Sequence, residues 1–394
     1  NGAGVCRKSI GGIMCPSYKA TRGEEFSTRG RANLLRKALS SEDPTKSLKN
    51  SELKEALDLC LACKACKSEC PANVDMAKLK SEYLFQIRNA GSYVKSWHIK
   101  NLGYILKIGS KAPDTFNFLQ SSFLGRKLIG FERQPPLLQK KSLSDWWSAC
   151  KTNNEDCSTT VWVIVDIFTQ YYDVSIGQDV LNLLKKCKVN IKVVFPKNSI
   201  VAMVSYGLLN EAKNELKILH SQLNDAAKND LIVGIEPSEV LVWRDEAKSL
   251  LNGRLPNVLL FEELLLELDQ LKVLPKFHAL NTKVWVYEHC HQKSLAETEN
   301  VIKSLELIPE LQIEIINGGC CGMAGEFGYK FPEISDTIAH QSLDNYMSRV
   351  GKNDVLVVTG TSCRKQILDI FSIRSIHWPQ LFNNTIKMKV NIEE

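Results

Sequence analysis

The chain has 394 residues, 44% of them hydrophobic and 24% charged, with 50 Lys and Arg against 44 Asp and Glu. Such a composition excludes a disordered chain and leaves room for two or three globular domains, each with its own core. The net charge of +6 is mild and comes with no Arg-rich or aromatic-interleaved basic run, which sets nucleic acid aside as a partner; no apolar run approaches the roughly 18 residues of a membrane-spanning helix.

Thirteen cysteines would suit disulfides in a small secreted scaffold with a thin core, whereas this chain has ample apolar residues and closely clustered thiols. Metal ligation in a reducing, cytoplasmic compartment fits better. The N-terminus carries neither an initiator methionine nor a signal peptide, as if the chain continued from a longer one.

In chain order, Cys6 comes first, followed by the Cys-Pro pair of Met14 to Pro16. TRGEEFSTRGRANLLRKAL then starts polar and predicts a helix with Leu34, Leu35, Ala38 and Leu39 on its apolar side. Arg22, Arg29 and Arg31 would offset the charge of a thiolate-ligated cluster, or simply form a solvated basic face; for any single arginine the solvated face is the simpler account. Next, LCLACKACKSECP sets Cys60, Cys63, Cys66 and Cys70 ahead of Pro71. Three thiolates at intervals of three residues can wrap one 4Fe-4S cubane, and a fourth four residues on, followed by proline, points toward a second cluster. As the stripe of a core helix the run is poor, since Lys64, Lys67 and Glu69 interrupt it and Pro71 ends it. Cys15, with its own Cys-Pro signature, is the natural fourth ligand for Cys60, Cys63 and Cys66. By the same crossing, Cys70 would join Cys6 in a second cluster, for which just these two thiols are visible.

CRKSIGGIMCPSYKATRGEEFSTRGRANLL and ALDLCLACKACKSECPANVDMAKLKSEYL together resemble the iron–sulfur region of FAD-linked oxidases of the D-2-hydroxyacid dehydrogenase type, over about the first 90 residues. In that family a flavin half precedes a ferredoxin-like half, and a further cysteine stands just ahead of the position of Asn1. The resemblance therefore implies FAD on a flavin portion or partner and a 4Fe-4S cluster here.

From Gly91 to Lys141 nine Lys and Arg face only Asp114 and Glu132, a local charge of +7, with Trp97, Tyr104, Phe116, Phe118, Phe123 and Phe131 interspersed. Such a stretch suits docking on an anionic membrane surface or an acidic partner. The plainer alternative is helices that pack their apolar faces on the ferredoxin-like domain and leave lysines in water. Gln134 to Pro136 reads as a linker.

The rest of the chain contains an internal repeat. TVWVIVDIF at 160–168 matches KVWVYEHCH at 283–291, so that Val284 follows Val161 by 123 positions; Asn198 and Ser199 fall opposite Cys320 and Cys321 at 122, and Glu239 opposite Cys363 at 124. Each anchor reads as a buried strand leading into a helix, which predicts duplicated α/β units with sites in the loops after the strands. The second copy presents Cys290, Cys320, Cys321 and Cys363; the first presents Ile167, Asn198, Ser199 and Glu239. His289 and His291 flank Cys290 as lesser ligand candidates, and Gly318, Gly319, Gly322 and Gly325 give adjacent thiols the backbone freedom to converge. Cys150, Cys157 and Cys187 have no such company and read as plain thiols.

HCHQKS, GGCCGMAGEFGY and GTSCRKQ resemble the cysteine-rich CCG domains of heterodisulfide reductases, glycolate oxidase iron–sulfur subunits and the anaerobic glycerol-3-phosphate dehydrogenase cluster subunit. The first copy lacks the cysteine pair and the second ends in one cysteine rather than CxxC, which argues against a five-cysteine non-cubane cluster. The four thiols are left with another cluster, a zinc, or nothing.

The sequence thus predicts an α+β multidomain chain: a helical 4Fe-4S ferredoxin-like domain at 1–90, a basic helical connector at 91–157, a degenerate CCG unit at 158–276 and a cysteine-containing CCG unit at 277–394, the last two with mainly parallel sheets. With no G-x-G-x-x-G after a strand, no P-loop and no flavin pattern, it would carry electrons from FAD through a 4Fe-4S cluster to an acceptor, as part of a D-2-hydroxyacid dehydrogenase. Two alternatives are a separate iron–sulfur subunit docking a flavin subunit, and a zinc-holding structural module. The expected setting is the cytoplasm or the inner face of its membrane.

Overall fold

A computed structural model describes residues 2–9, 11–89, 96–150, 159–226 and 229–386; Gly91 to Lys95 of the basic stretch and Cys157 lie outside them. The chain mixes helices with two parallel sheets, and the N-terminal part is helical throughout. Its α-helices are Pro16–Thr21, Thr28–Leu39, Pro44–Ser47, Ser51–Asp58, Ala65–Glu69 and Met76–Asn89. Ser27 caps the second of them by accepting from the Gly30 N–H at 3.0 Å, and Leu35 and Ala38 are buried while Leu39 is exposed, so the apolar side of this helix is narrower than its sequence predicts.

Arg31 departs from the solvated-face expectation. It is 2% exposed, with Nε donating to the Ala56 carbonyl at 2.6 Å and Nη2 to the Ser17 hydroxyl at 2.8 Å. Arg22 and Arg29 are exposed as expected.

The first sheet contains β1 (Thr160–Ile164), β2 (Asn190–Val194), β3 (Leu231–Gly234) and β4 (Val258–Leu259) in the order β2-β1-β3-β4. The second contains β5 (Lys283–Tyr287), β6 (Gln312–Ile315) and β7 (Val355–Val358) in the order β6-β5-β7, and every pairing in both is parallel. Central strands buried on both faces explain the unbroken apolar runs of TVWVI and KVWVY. One apolar cluster runs through both sheets, joining Val161 and Val163 to Val284, Val286 and Val357 by way of Leu264, Leu268, Trp378 and Phe382. The last helix, Trp378–Ile386, packs back on helix Val174–Lys186, where Asn383 donates to the Asp179 carbonyl at 2.7 Å.

Among the described residues, apolar side chains of the basic connector pack on the first α/β unit, where the plainer reading has them on the ferredoxin-like part. Ile99 joins the core beside Trp162, and Leu106 and Leu138 pack with Ile167 and Tyr171 of the first α/β unit. Asn198 fixes this arrangement, donating to the carbonyls of Ile99 (3.0 Å) and Lys100 (2.7 Å). Gly103 is required at the contact, because a Cβ there would stand 1.8 Å from the Lys197 carbonyl oxygen. No helix among the described residues is long and apolar enough to cross a membrane.

Candidate metal centre

Cys15, Cys60, Cys63 and Cys66 line one cavity of about 310 Å³, together with Thr28, Arg31, Lys64 and Met76. All four are 5–8% exposed. The cysteine run is a loop up to Lys64, with helix only from Ala65 to Glu69, so its thiols do not form a helical stripe. Ala62 (φ 51°) and Lys64 (φ 62°) hold left-handed backbone between the thiols, a conformation uncommon for residues with a Cβ and enriched at functional loops. Cys15 is likewise left-handed (φ 55°) at the start of helix Pro16–Thr21.

Backbone donors reach two of the sulfurs: Thr28 N–H lies 3.1 Å from Cys15 Sγ and Met76 N–H 3.3 Å from Cys66 Sγ. Such bonds stabilise thiolate and are a main lever on cluster potential. Burial, with the charges of Cys290 and Cys66 added, drives the Cys63 thiol well above its ordinary range, and burial lifts Cys66 to about 11. Cys6 lies within bonding reach of Cys15; that bond holds Cys6 down to about 6 and raises Cys15. Thiols packed so closely in a dry pocket resist ionisation until a cation offsets them. Among the described residues no three Cys, His, Asp or Glu side chains converge as one metal ion requires. Four thiols around an open cavity instead suit a cluster with one ligand at each corner. Cys70, the other crossing candidate, is half-buried at the end of helix Ala65–Glu69 and packs on the same apolar cluster as Cys6.

The second group of thiols sits where the strand ends place it. Cys290 opens helix Cys290–Leu295 after β5, Cys320 and Cys321 follow β6, and Cys363 lies in the first turn of helix Thr361–Phe371 after β7. All are 1–8% exposed. Cys321 and Cys363 sulfurs are 3.3 Å apart, and Cys320 is within bonding reach of both Cys290 and Cys321. Gly322 makes this turn feasible, with φ 88° and room for no Cβ beside the Ser335 carbonyl. His289 Nε2 stands 4.0 Å from Cys290 Sγ.

The two thiol groups face each other, which the sequence does not announce. Cys290 and Cys320 belong to the same apolar cluster as Cys6, Cys15, Cys60, Cys63 and Cys66. His291 donates from Nε2 to the Ala62 carbonyl at 2.9 Å, and Ser294 Oγ lies 3.2 Å from the Cys63 carbonyl. His291 is thus tied to the cysteine loop through its ring and is a positioning residue there.

In the first unit the matching positions are occupied by a carboxylate network. Ser199 Oγ donates to Glu239, whose other oxygen accepts from Ile200 N–H at 3.2 Å, and Asp166, Asn198 and Glu239 line a cavity of about 350 Å³. Desolvation pushes Glu239 up to about 8 against the Ser199 bond, with Asp166 adding to the rise. A carboxyl raised in the fold binds its proton more tightly there than in the unfolded chain, where it titrates near 4.3. Its contribution to stability therefore falls as pH climbs from about 4 to about 8. Glu239→Gln is expected to flatten part of that decline, read as urea midpoints at pH 5 and pH 8; an unchanged decline would mean that Glu239 is already ionised in the fold.

Residues 1–74 match the 4Fe-4S dicluster domain. The chain is 30% identical over 427 residues to a D-2-hydroxyglutarate dehydrogenase of Escherichia coli and 28% identical over 426 residues to one of Pantoea ananatis, in each case across 93% of this chain and 41% of the relative. It is also 22% identical over 258 residues to the C subunit of the anaerobic glycerol-3-phosphate dehydrogenase of Escherichia coli, covering 63% of this chain and 65% of that protein. The chain spans about two fifths of the length of the dehydrogenases it matches. No solved structure matches. These relatives agree with the resemblance to the iron–sulfur region of FAD-linked oxidases and with an iron–sulfur cofactor in the N-terminal part.

Proposed function

We propose that this chain is the electron-transfer portion of a flavin-dependent 2-hydroxyacid dehydrogenase, with Cys15, Cys60, Cys63 and Cys66 as the ligands of a 4Fe-4S cluster. The observation that carries this reading is the single buried cavity lined by those four thiols within the segment that matches the 4Fe-4S domain. A cluster held there supplies one-electron acceptance and release. The chain's own part is to keep the site dry, to aim the N–H groups of Thr28 and Met76 at the sulfurs, and to set the Arg31 guanidinium at the cavity wall.

The thiols of Cys290, Cys320, Cys321 and Cys363 are a second centre in this proposal, placed against the first; a cluster there would relay to the first, whereas the zinc alternative is not favoured, because no three ligating side chains among the described residues converge as one ion requires. Cys6 and Cys70 are the candidates for a further cluster ligand set. The two sheets derive from a duplicated unit, a reading supported by the corresponding orders β2-β1-β3 and β6-β5-β7; the units run from 158 to 276 and from 277 to 394, after the ferredoxin-like domain at 1–90 and the connector at 91–157. The electron donor is an FAD-binding domain or subunit that oxidises a D-2-hydroxy acid, 2-hydroxyglutarate being the one named for the relatives. Likeness to one subunit of the glycerol-3-phosphate dehydrogenase, across 65% of its length, favours a separate iron–sulfur subunit as a second reading. The many buried thiols favour a cytoplasmic setting, at the inner face of the membrane if the acceptor is lipid-borne.

A potentiometric titration of anaerobic protein tests the proposal. A reversible one-electron step within the iron–sulfur range of about −700 to +450 mV is expected; protein without iron or without a redox step would overturn it.

A further inference from the structure

Fifteen large apolar side chains are exposed among the described residues, and ten of them fall between Trp97 and Leu137. Six belong to two consecutive helices, Pro113–Ser121 and Phe123–Ile129, joined at Ser122 and packed on each other. These six are Phe118 (74% exposed), Leu119 (58%), Phe123 (71%), Leu124 (76%), Leu128 (91%) and Ile129 (41%). Neither helix has a fully buried residue, and Phe116, partly buried against Leu106 and Leu138, is the hairpin's hydrophobic anchor on the fold. Helices of nine and seven residues are marginal in water without an apolar face to bury, so this hairpin is built for a surface that covers it.

The charge around the hairpin says which surface. From residue 96 to 141 eight Lys and Arg face Asp114 and Glu132, a local +6, and Lys107, Lys111, Lys127, Lys140 and Lys141 are exposed. Apolar side chains set among exposed lysines, with Trp97 and Tyr104 nearby at 70% and 66% exposure, match an anionic bilayer interface, where aromatic and aliphatic groups enter and ammonium groups meet the headgroups.

We propose that the hairpin Pro113–Ile129 docks this protein on anionic phospholipid bilayers, its apolar tip inserted at the interface and Lys127 with the flanking connector lysines on the lipid phosphates. Docking requires no cluster and its test reads no electrons, so it stands apart from the electron-transfer reading.

The test is co-sedimentation with vesicles of phosphatidylglycerol and phosphatidylcholine, and with phosphatidylcholine vesicles alone. Binding to the anionic vesicles is expected, at least about tenfold tighter than to the neutral ones and weakened by salt. The triple variant Phe118→Glu, Leu124→Glu, Leu128→Glu is expected to lose about tenfold or more in binding, with unchanged circular dichroism and iron content, since none of the three is buried. Lys107→Glu with Lys127→Glu separates the charge contribution and is expected to abolish the preference for anionic lipid. No binding to anionic vesicles, equal binding by the triple variant, or self-association through the hairpin in place of lipid binding would each overturn the proposal.

Discussion

Anaerobically prepared Cys63→Ala protein is expected to lose the iron of its N-terminal site, about four atoms per chain with as many labile sulfides, whereas Cys363→Ala retains it. Cys63 is flanked by left-handed Ala62 and Lys64, with Cys66 and the facing Cys290 both close enough to oppose its ionisation. Three remaining ligands leave one cluster corner to water, and clusters with an incomplete set are lost. Metal binding free energy is also folding free energy, so the variant should melt earlier than the parent. Iron and sulfide analysis with the urea midpoint of each protein decides the matter. Iron that falls with either substitution would place a second iron centre at Cys290, Cys320, Cys321 and Cys363. A Cys63→Ala protein that keeps all its iron would sink the ligand assignment, and the nearness of Cys290 makes that outcome worth a direct check with Cys63→Ala plus Cys290→Ala.

Much of the site was legible because its chemistry is local. The spacing of Cys60, Cys63 and Cys66 and the Cys-Pro pair at Cys15 are short-range patterns, and the structure brings those four to one cavity. The parallel strands were legible for a similar reason: a strand buried on both faces reads as a continuous apolar run, and Val161 and Val284 both sit in central strands. What could not be read was any contact that depends on how the domains close. His291 reaches Ala62 across 229 positions and Arg31 meets Ala56 across 25, and neither has a signal in composition or period. An arginine in a basic stretch is usually solvated, and only the packed structure reveals that Arg31 is the exception. The connector misled for the opposite reason, since amphipathic helices ordinarily cover a core and this hairpin contributes only Phe116 to one.

The same closure sets up the second large effect, at Lys64. This side chain, 4% exposed, leaves the cysteine loop and pairs with Asp245 at 2.9 Å and with Glu246, carboxylates that follow helix Pro237–Arg244 of the first α/β unit. Lys67, also from the loop region, pairs with Asp245 as well. Burial raises Asp245, but Lys64 and Lys67 outweigh it and hold the carboxyl below its ordinary range; Glu246, where burial wins over Lys64, is raised. Of the two carboxyls, Asp245 is the one whose charged form the lysines favour on balance. Asp245→Asn removes the carboxylate shared by Lys64 and Lys67, leaves Lys64 paired with Glu246, and is expected to cost about 3 kcal/mol, whereas Glu246→Gln costs about 1–3 kcal/mol, both read from urea unfolding. Because the folded value of Asp245 is depressed, its contribution is present above the unfolded value near 3.9 and is lost as pH falls through the folded value, so the clamp should release only in strong acid. Removing one negative charge from the Lys64 and Lys67 cluster would also favour the reduced, more negative state of a cluster held at Cys63 and Cys66. The Asp245→Asn protein should then show a higher reduction potential at unchanged iron content. A double-mutant cycle with Lys64→Met isolates the pair, and a coupling energy near zero would mean that the Lys64–Asp245 pair does not hold the loop.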